Sequence, residues 1–92
     1  MVSNRPSHVI GPFGEKLTVD RLPPADTVRW TVRRKAEVVA AVEGGLLTFE
    51  EACARYALAM EELIGWQGAH QSSGMRGLRI TSSQKYRERY RY

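Results

Sequence analysis

"TFEEACARYALAMEELIGWQGA", residues 48–69, decides the reading of this chain. Thr48 and Glu51 stand three apart, the spacing of a capping box in which each side chain satisfies an amide at the start of a helix. Phe49, Ala52, Cys53 and Tyr56 then fall at i, i+3, i+4 and i+7, which is one apolar face of a helix. Tyr56-Ala57-Leu58 reads as a turn. A second helix follows from about Met60 to Ser73 and ends before Gly74. Two helices joined by so short a turn have the spacing of a helix-turn-helix, whose second helix normally enters the major groove of DNA. Placed at 100° intervals, Met60, Leu63, Ile64, Gln67, His70 and Gln71 share the side expected to be buried, with Trp66 at its edge and its indole N–H reaching outward. The opposite arc holds Glu61, Glu62, Gly65, Gly68, Ala69 and Ser72. That arc carries two carboxylates and no cation, an odd face to offer to a polyanion.

Upstream, Val32, Ala36, Val39 and Val42 sit at helical spacing, with Val38 widening the stripe. They predict a helix over about 31–43, capped by Thr31 and stopped by Gly44 as a left-handed C′ residue. Before it, "DRLPPADT" contains two prolines and reads as an extended linker. Earlier still, "HVIGPFGEKLTV" pairs β-branched residues and a period-two alternation around a Gly-Pro turn, which predicts a small hairpin over about 9–19. A lone hairpin is marginal in water, so it should pack on the helices. Residues 1–8 are polar and read as a loose arm. The expected fold is therefore mostly α: a hairpin, then a three-helix helix-turn-helix domain over 9–80, then a basic tail over 81–92.

The chain has 92 residues and a net charge of +4, which suits one small domain with a modest core. The charge is uneven. Residues 31–74 are acidic on balance, whereas 75–92 hold Arg76, Arg79, Lys85, Arg87, Arg89 and Arg91 against Glu88 alone. A basic tail attracts nucleic acid or an acidic protein surface. Apolar runs are too short to span a membrane, the start lacks the apolar core of a signal peptide, and Cys53 is a single cysteine. A cytoplasmic location is expected.

Enzymatic chemistry finds no support. His8 and His70 lie in different segments without a ligand pair. Cys53 lies on the apolar face of its helix, where a thiol is packed and not activated. Ser82 and Ser83 lack an evident base, and Gly11 and Gly14 are not followed by the Lys-Ser/Thr of a phosphate loop. No catalytic residue, metal, cofactor or small-molecule substrate is expected.

"VIGP", "LPP", "RW-x-x-RRKAEVVAAV", "GGLL", "EEAC-x-RY" and "GLR-x-T" together cover about residues 9–87. In these marks the chain resembles the small alphaproteobacterial inhibitors of the cell-cycle regulator CtrA, the SciP-type proteins. The resemblance implies a helix-turn-helix transcription regulator that binds the response regulator CtrA and blocks productive recruitment of RNA polymerase; direct promoter binding is also associated with the family. The two readings use different residues. Binding to a CtrA-type response regulator would use Arg33, Arg34 and Lys35, three cations at a helix start where the dipole disfavours them. A structural alternative is that Arg33 pairs with Glu37 at i, i+4, while Arg34 and Lys35 solubilise the surface. Direct binding to promoter DNA would use Arg55, Arg76, Arg79, Lys85 and Arg87. Arg, Lys, Asn or Gln would then be needed on the outward face of the second motif helix to reach base edges, and Gly65 and Gly68 stand where such groups are expected. Trp30 and Trp66 are expected in the core.

Overall fold

The computed structural model describes residues 5–80. Strands β1 (Val9–Ile10) and β2 (Lys16–Leu17) pair antiparallel, with Val9 opposite Leu17 and Ile10 opposite Lys16. Helices α1 (Val32–Glu43), α2 (Phe49–Tyr56) and α3 (Met60–Ile80) follow. The fold is mostly helical with one short hairpin, as the periodicities predict. Between hairpin and α1 the chain makes a single 3-10 turn at Val19–Arg21 before the two prolines, where the sequence reads as extended from Asp20.

α1 is the centre of the domain and packs against α2, α3 and β1. Val38, Val39 and Ala41 are fully buried, and Ala36 nearly so. The hairpin covers one side of α1 and α3 the other, so α1 buries a wider arc than a single amphipathic stripe. The extra width takes in Lys35 and Glu37, which composition would place at the surface. Thr31 Oγ1 accepts the Arg34 amide at 3.2 Å and caps the helix. At the other end Gly44 is right-handed, and Gly45 carries the positive φ of 86°. The left-handed residue is thus one position later than expected, and Gly44 serves packing instead: a Cβ there would run into the side chain of Val9. The glycine lets the hairpin lie against the end of α1.

The capping box of α2 is fully formed. Thr48 Oγ1 accepts the Glu51 amide at 3.0 Å, and Glu51 Oε1 accepts the Thr48 amide at 2.9 Å. Ala52 and Tyr56 are buried, with Phe49 and Cys53 packed beside them. The turn of the motif comprises residues 57–59, with Ala57 left-handed at φ 53°, ψ 44°. Tyr56 donates its hydroxyl to the Pro23 carbonyl at 2.8 Å, which ties the proline linker to the end of α2. The Trp30 ring meets Tyr56 edge-on at 5.2 Å and Trp66 at 5.0 Å, in the geometries aromatic quadrupoles favour. Trp66 belongs to the core, as expected, whereas Trp30 is half-buried and packs against it.

α3 is broken at Gly74, whose φ of 60° and ψ of −146° are non-helical. The chain turns there and lays a short helical segment, residues 75–80, back onto the domain. Leu78 is fully buried and Met75 packs against the core. At Gly77 a Cβ would meet the Ala69 carbonyl oxygen, so only glycine allows this approach. The sequence places the break correctly and lets Met75 and Leu78 tuck back onto the helices, but it gives no sign that residues 75–80 are helical; the short terminal helix that "QKYRERYRY" allows lies outside the described residues.

Candidate functional site

The three consecutive cations at the start of α1 diverge by 100° each, and the structure sends them to three destinations. Arg33 points toward the hairpin. Its Nε donates to Glu37 Oε2 at 3.3 Å, its side chain stays 60% exposed, and its guanidinium lies 5.0 Å from the centroid of Phe13. Arg34 is half-buried and donates from Nη1 to the Arg29 carbonyl at 3.0 Å. Lys35 points inward and is only 3% exposed. Its ammonium donates to the Leu78 carbonyl at 3.3 Å and lies 5.6 Å from the centre of the Trp66 ring. Burial pulls the Lys35 pKa down, a drop opposed by the negative charge of Glu62.

Lys35 is therefore removed from the expected contact surface of Arg33, Arg34 and Lys35. Its stem fills the seam between α1 and the segment after Gly74, and its charge is taken up by a carbonyl in the last turn of α3, where the helix dipole favours a cation. Arg33 and Arg34 remain within reach of solvent.

The outward face of α3 also differs from the helical-wheel reading. Leu63 and Trp66 are the buried centre of the stripe, with Ala69 beside them. Met60 and Ile64, expected inside, are 59% and 54% exposed. The rotation accompanies the aromatic contact: with Trp66 turned inward onto Trp30, their rings tilted by 56°, residues 60 and 64 face outward. It also buries the Trp66 indole nitrogen, which has no hydrogen-bond acceptor among the described residues and does not reach solvent as expected. Gly65 and Gly68 face open space. The two glutamates have a local explanation. Both lie in the first turn of α3, where the dipole favours anions, and Glu62 Oε1 accepts the Ala59 amide at 3.2 Å. Ala59 has no side-chain acceptor of its own, so Glu62 supplies half of a capping interaction.

Of the residues expected to serve DNA, Arg55 is half-buried. It donates from Nε to the Tyr56 hydroxyl at 3.1 Å and lies 5.4 Å from that ring. Arg76 is exposed. The Arg79 side chain, Lys85 and Arg87 lie outside what is described, as does the basic tail. Burial pushes the Cys53 thiol pKa up, with Glu50 and Glu62 adding to it, which disfavours a reactive thiolate. No helix among the described residues is long and apolar enough to cross a membrane.

Residues that the charge pattern missed gather beside Arg33. Lys16, Arg21 and Arg33 line one cavity of about 290 Å³ together with Glu15, Leu17 and Glu37. Phe13 stands at the hairpin tip, 62% exposed. The available signal was "GPFG", a turn that must present its one large side chain.

A family model described as a protein of unknown function, DUF1153, matches residues 2–87. The NMR solution structure of a protein from Rhodobacter sphaeroides is similar at 44% sequence identity and a TM-score of 0.68, with 95% of each chain covered. Among curated proteins nothing matches.

Proposed function

The chain belongs to the DUF1153 family, and we propose that it is a transcription regulator that binds a CtrA-type response regulator and inhibits activation of that regulator's target genes. The observation that carries this reading is the outward face of α3. Between residues 60 and 73 it has no Lys or Arg and exposes Met60, Glu61 and Ile64 beside two glycines, with Gln71, expected on the buried side, as its exposed amide toward the far end. A helix that reads base edges needs donors such as Arg, Lys, Asn or Gln, and approach to phosphate rewards cations. Exposed apolar groups with acidic neighbours suit a protein surface better. The outward cations of the domain lie elsewhere, with Arg33 and Arg34 at the start of α1. The motif string "RRKAEVVAAV", through which the chain resembles the CtrA inhibitors, spans that same helix start.

The test is titration against a purified CtrA-type response regulator and against a promoter duplex, separately and together. The regulator alone should bind. Charge reversal of Arg33 and Arg34 should weaken that binding by about tenfold, or roughly 1.4 kcal/mol. Unchanged affinity would remove these two residues from the contact. Tight binding to the duplex alone, weakening by about 0.9 log units per log salt for each neutralised phosphate, would favour direct promoter binding instead.

A further inference from the structure

The hairpin tip is held more firmly than a surface loop requires. The Gly11 amide donates to the Glu15 carbonyl at 2.7 Å, and the Gly14 amide to the Gly11 carbonyl at 3.0 Å. The Phe13 amide donates to Glu15 Oε1 at 2.8 Å. Gly14 takes a φ of 80°, open to glycine, and a Cβ at Gly11 would run into the Glu15 carboxylate. The product of this arrangement is an exposed phenyl ring on a fixed backbone, with the Arg33 guanidinium against it.

The charges of the adjoining cavity are sorted by depth. Lys16, Arg21 and Arg33 are exposed. The two carboxylates of the same cavity are shaded: Glu37 is 9% exposed, and Glu15 has one oxygen on the Phe13 amide and the other buried. Solvent, and any partner, therefore meets the cations Lys16, Arg21 and Arg33 along one cavity, with Arg33 joining it to the exposed Phe13 ring. We infer that Phe13, Lys16, Arg21 and Arg33 form a docking surface for an acidic protein face that has an apolar notch to receive the Phe13 ring. The inference rests on the reading that a response regulator is the partner, and it names where and by what chemistry that partner is held. Its form is that of an interface hot spot: a pre-ordered aromatic anchor loses little conformational freedom on binding, and the adjoining cations select and steer an acidic counterpart. Duplex DNA would use the cations but accepts a phenyl ring only by unstacking a base step, at a cost of a few kcal/mol, whereas an apolar notch on a protein receives it without that cost, so we assign the surface to a protein partner and let the duplex titration decide.

The experiment titrates the full chain and its F13A and K16E/R21E variants with a purified CtrA-type response regulator. V28A serves as a control for an equally bare apolar side chain, since Val28 is 84% exposed. Thermal melts establish that each variant is folded; Phe13, Lys16 and Arg21 are exposed, so their melting should be unchanged. F13A and K16E/R21E should each lower affinity about tenfold, and V28A should not. Wild-type affinity in both folded variants, with the regulator still bound, would overturn this surface and leave the proposed function standing. Failure of the wild-type chain to bind the regulator at all would overturn both. Loss of binding to a promoter duplex, with regulator binding intact, would overturn the assignment of a protein partner to this surface.

Discussion

An ammonium group taken from water must recover its hydration in the protein. Lys35 does so through the Leu78 carbonyl and the face of Trp66, while its methylene stem packs in the seam. These two contributions separate by mutation. K35A removes the stem and a hydrogen bond of the charge-assisted kind, so it should cost about 1.5–3 kcal/mol. K35M keeps the stem and discards the desolvated charge, so it should recover most of that loss, as read by chemical denaturation. A second residue carries stored strain. Ala57 is held in the left-handed region, which costs a non-glycine residue roughly 1–2 kcal/mol. A57G should raise stability by about 1 kcal/mol once the extra freedom of glycine in the unfolded chain is offset. In a domain of this size that is about 4–8 °C in the melting temperature. Neither residue announces itself in the sequence. Lys35 sits in a run of three cations that differ only in helical phase, and phase becomes burial only when the neighbours are known. Ala57 is an ordinary helix former whose conformation is imposed by the two helices it joins.

Elements were more legible than residues because their signals are local. The capping box, the α1 stripe, the Gly-Pro hairpin turn and the stop before Gly74 each depend on side chains within a few positions of one another. The structure forms all of them. What local signals could not supply was the rotation of α3, which accompanies the contact of Trp66 with Trp30, residues far apart in the chain. For the same reason Met60 and Ile64 looked buried. The Phe13 surface was hidden by a different cause: its cations come from the hairpin, the 3-10 turn and α1, and only folding gathers them. The α2 cap gives an acid-side prediction. Hydrogen bonding to Arg5 first, and to the Thr48 amide next, holds the Glu51 carboxyl below the ordinary carboxylate range. Folding thus binds this proton more weakly than the unfolded chain does. The stabilisation is present above the ordinary carboxylate pKa and is lost as pH falls through the lowered one. Melting temperatures from pH 6 to pH 3 should drop less steeply in E51Q than in the wild type, starting from a lower value at pH 6. Parallel curves would show that the cap does not titrate with folding.

At the scale of the molecule, the question is what closes so small a domain. α1 runs through the middle with the hairpin on one side and α3 on the other, and residues 75–80 double back over the far end. That last segment is short, yet it buries Leu78 completely, packs Met75, and receives the Lys35 ammonium. Burial of one leucine contributes about 1.5–3 kcal/mol, and the hydrogen bond to a charged donor about 1.5–3 kcal/mol more. Against a total of about 5–15 kcal/mol for a native domain, the segment after Gly74 is a large share and not an appendage. Two truncations follow from this. A chain ending at residue 83 retains the whole segment and should melt with the full-length protein, its helicity lower only by what residues 84–92 themselves contribute. A chain ending at residue 74 loses Leu78 and uncovers Lys35 and Trp66. It should melt about 15 °C lower or more, a loss of about 3 kcal/mol at roughly 4–8 °C per kcal/mol, and its tryptophan emission should shift to the red as Trp66 meets water. If the chain ending at 74 instead melts within a few degrees of the full chain, the closing segment contributes little, and α1, α2 and residues 60–73 hold the core by themselves.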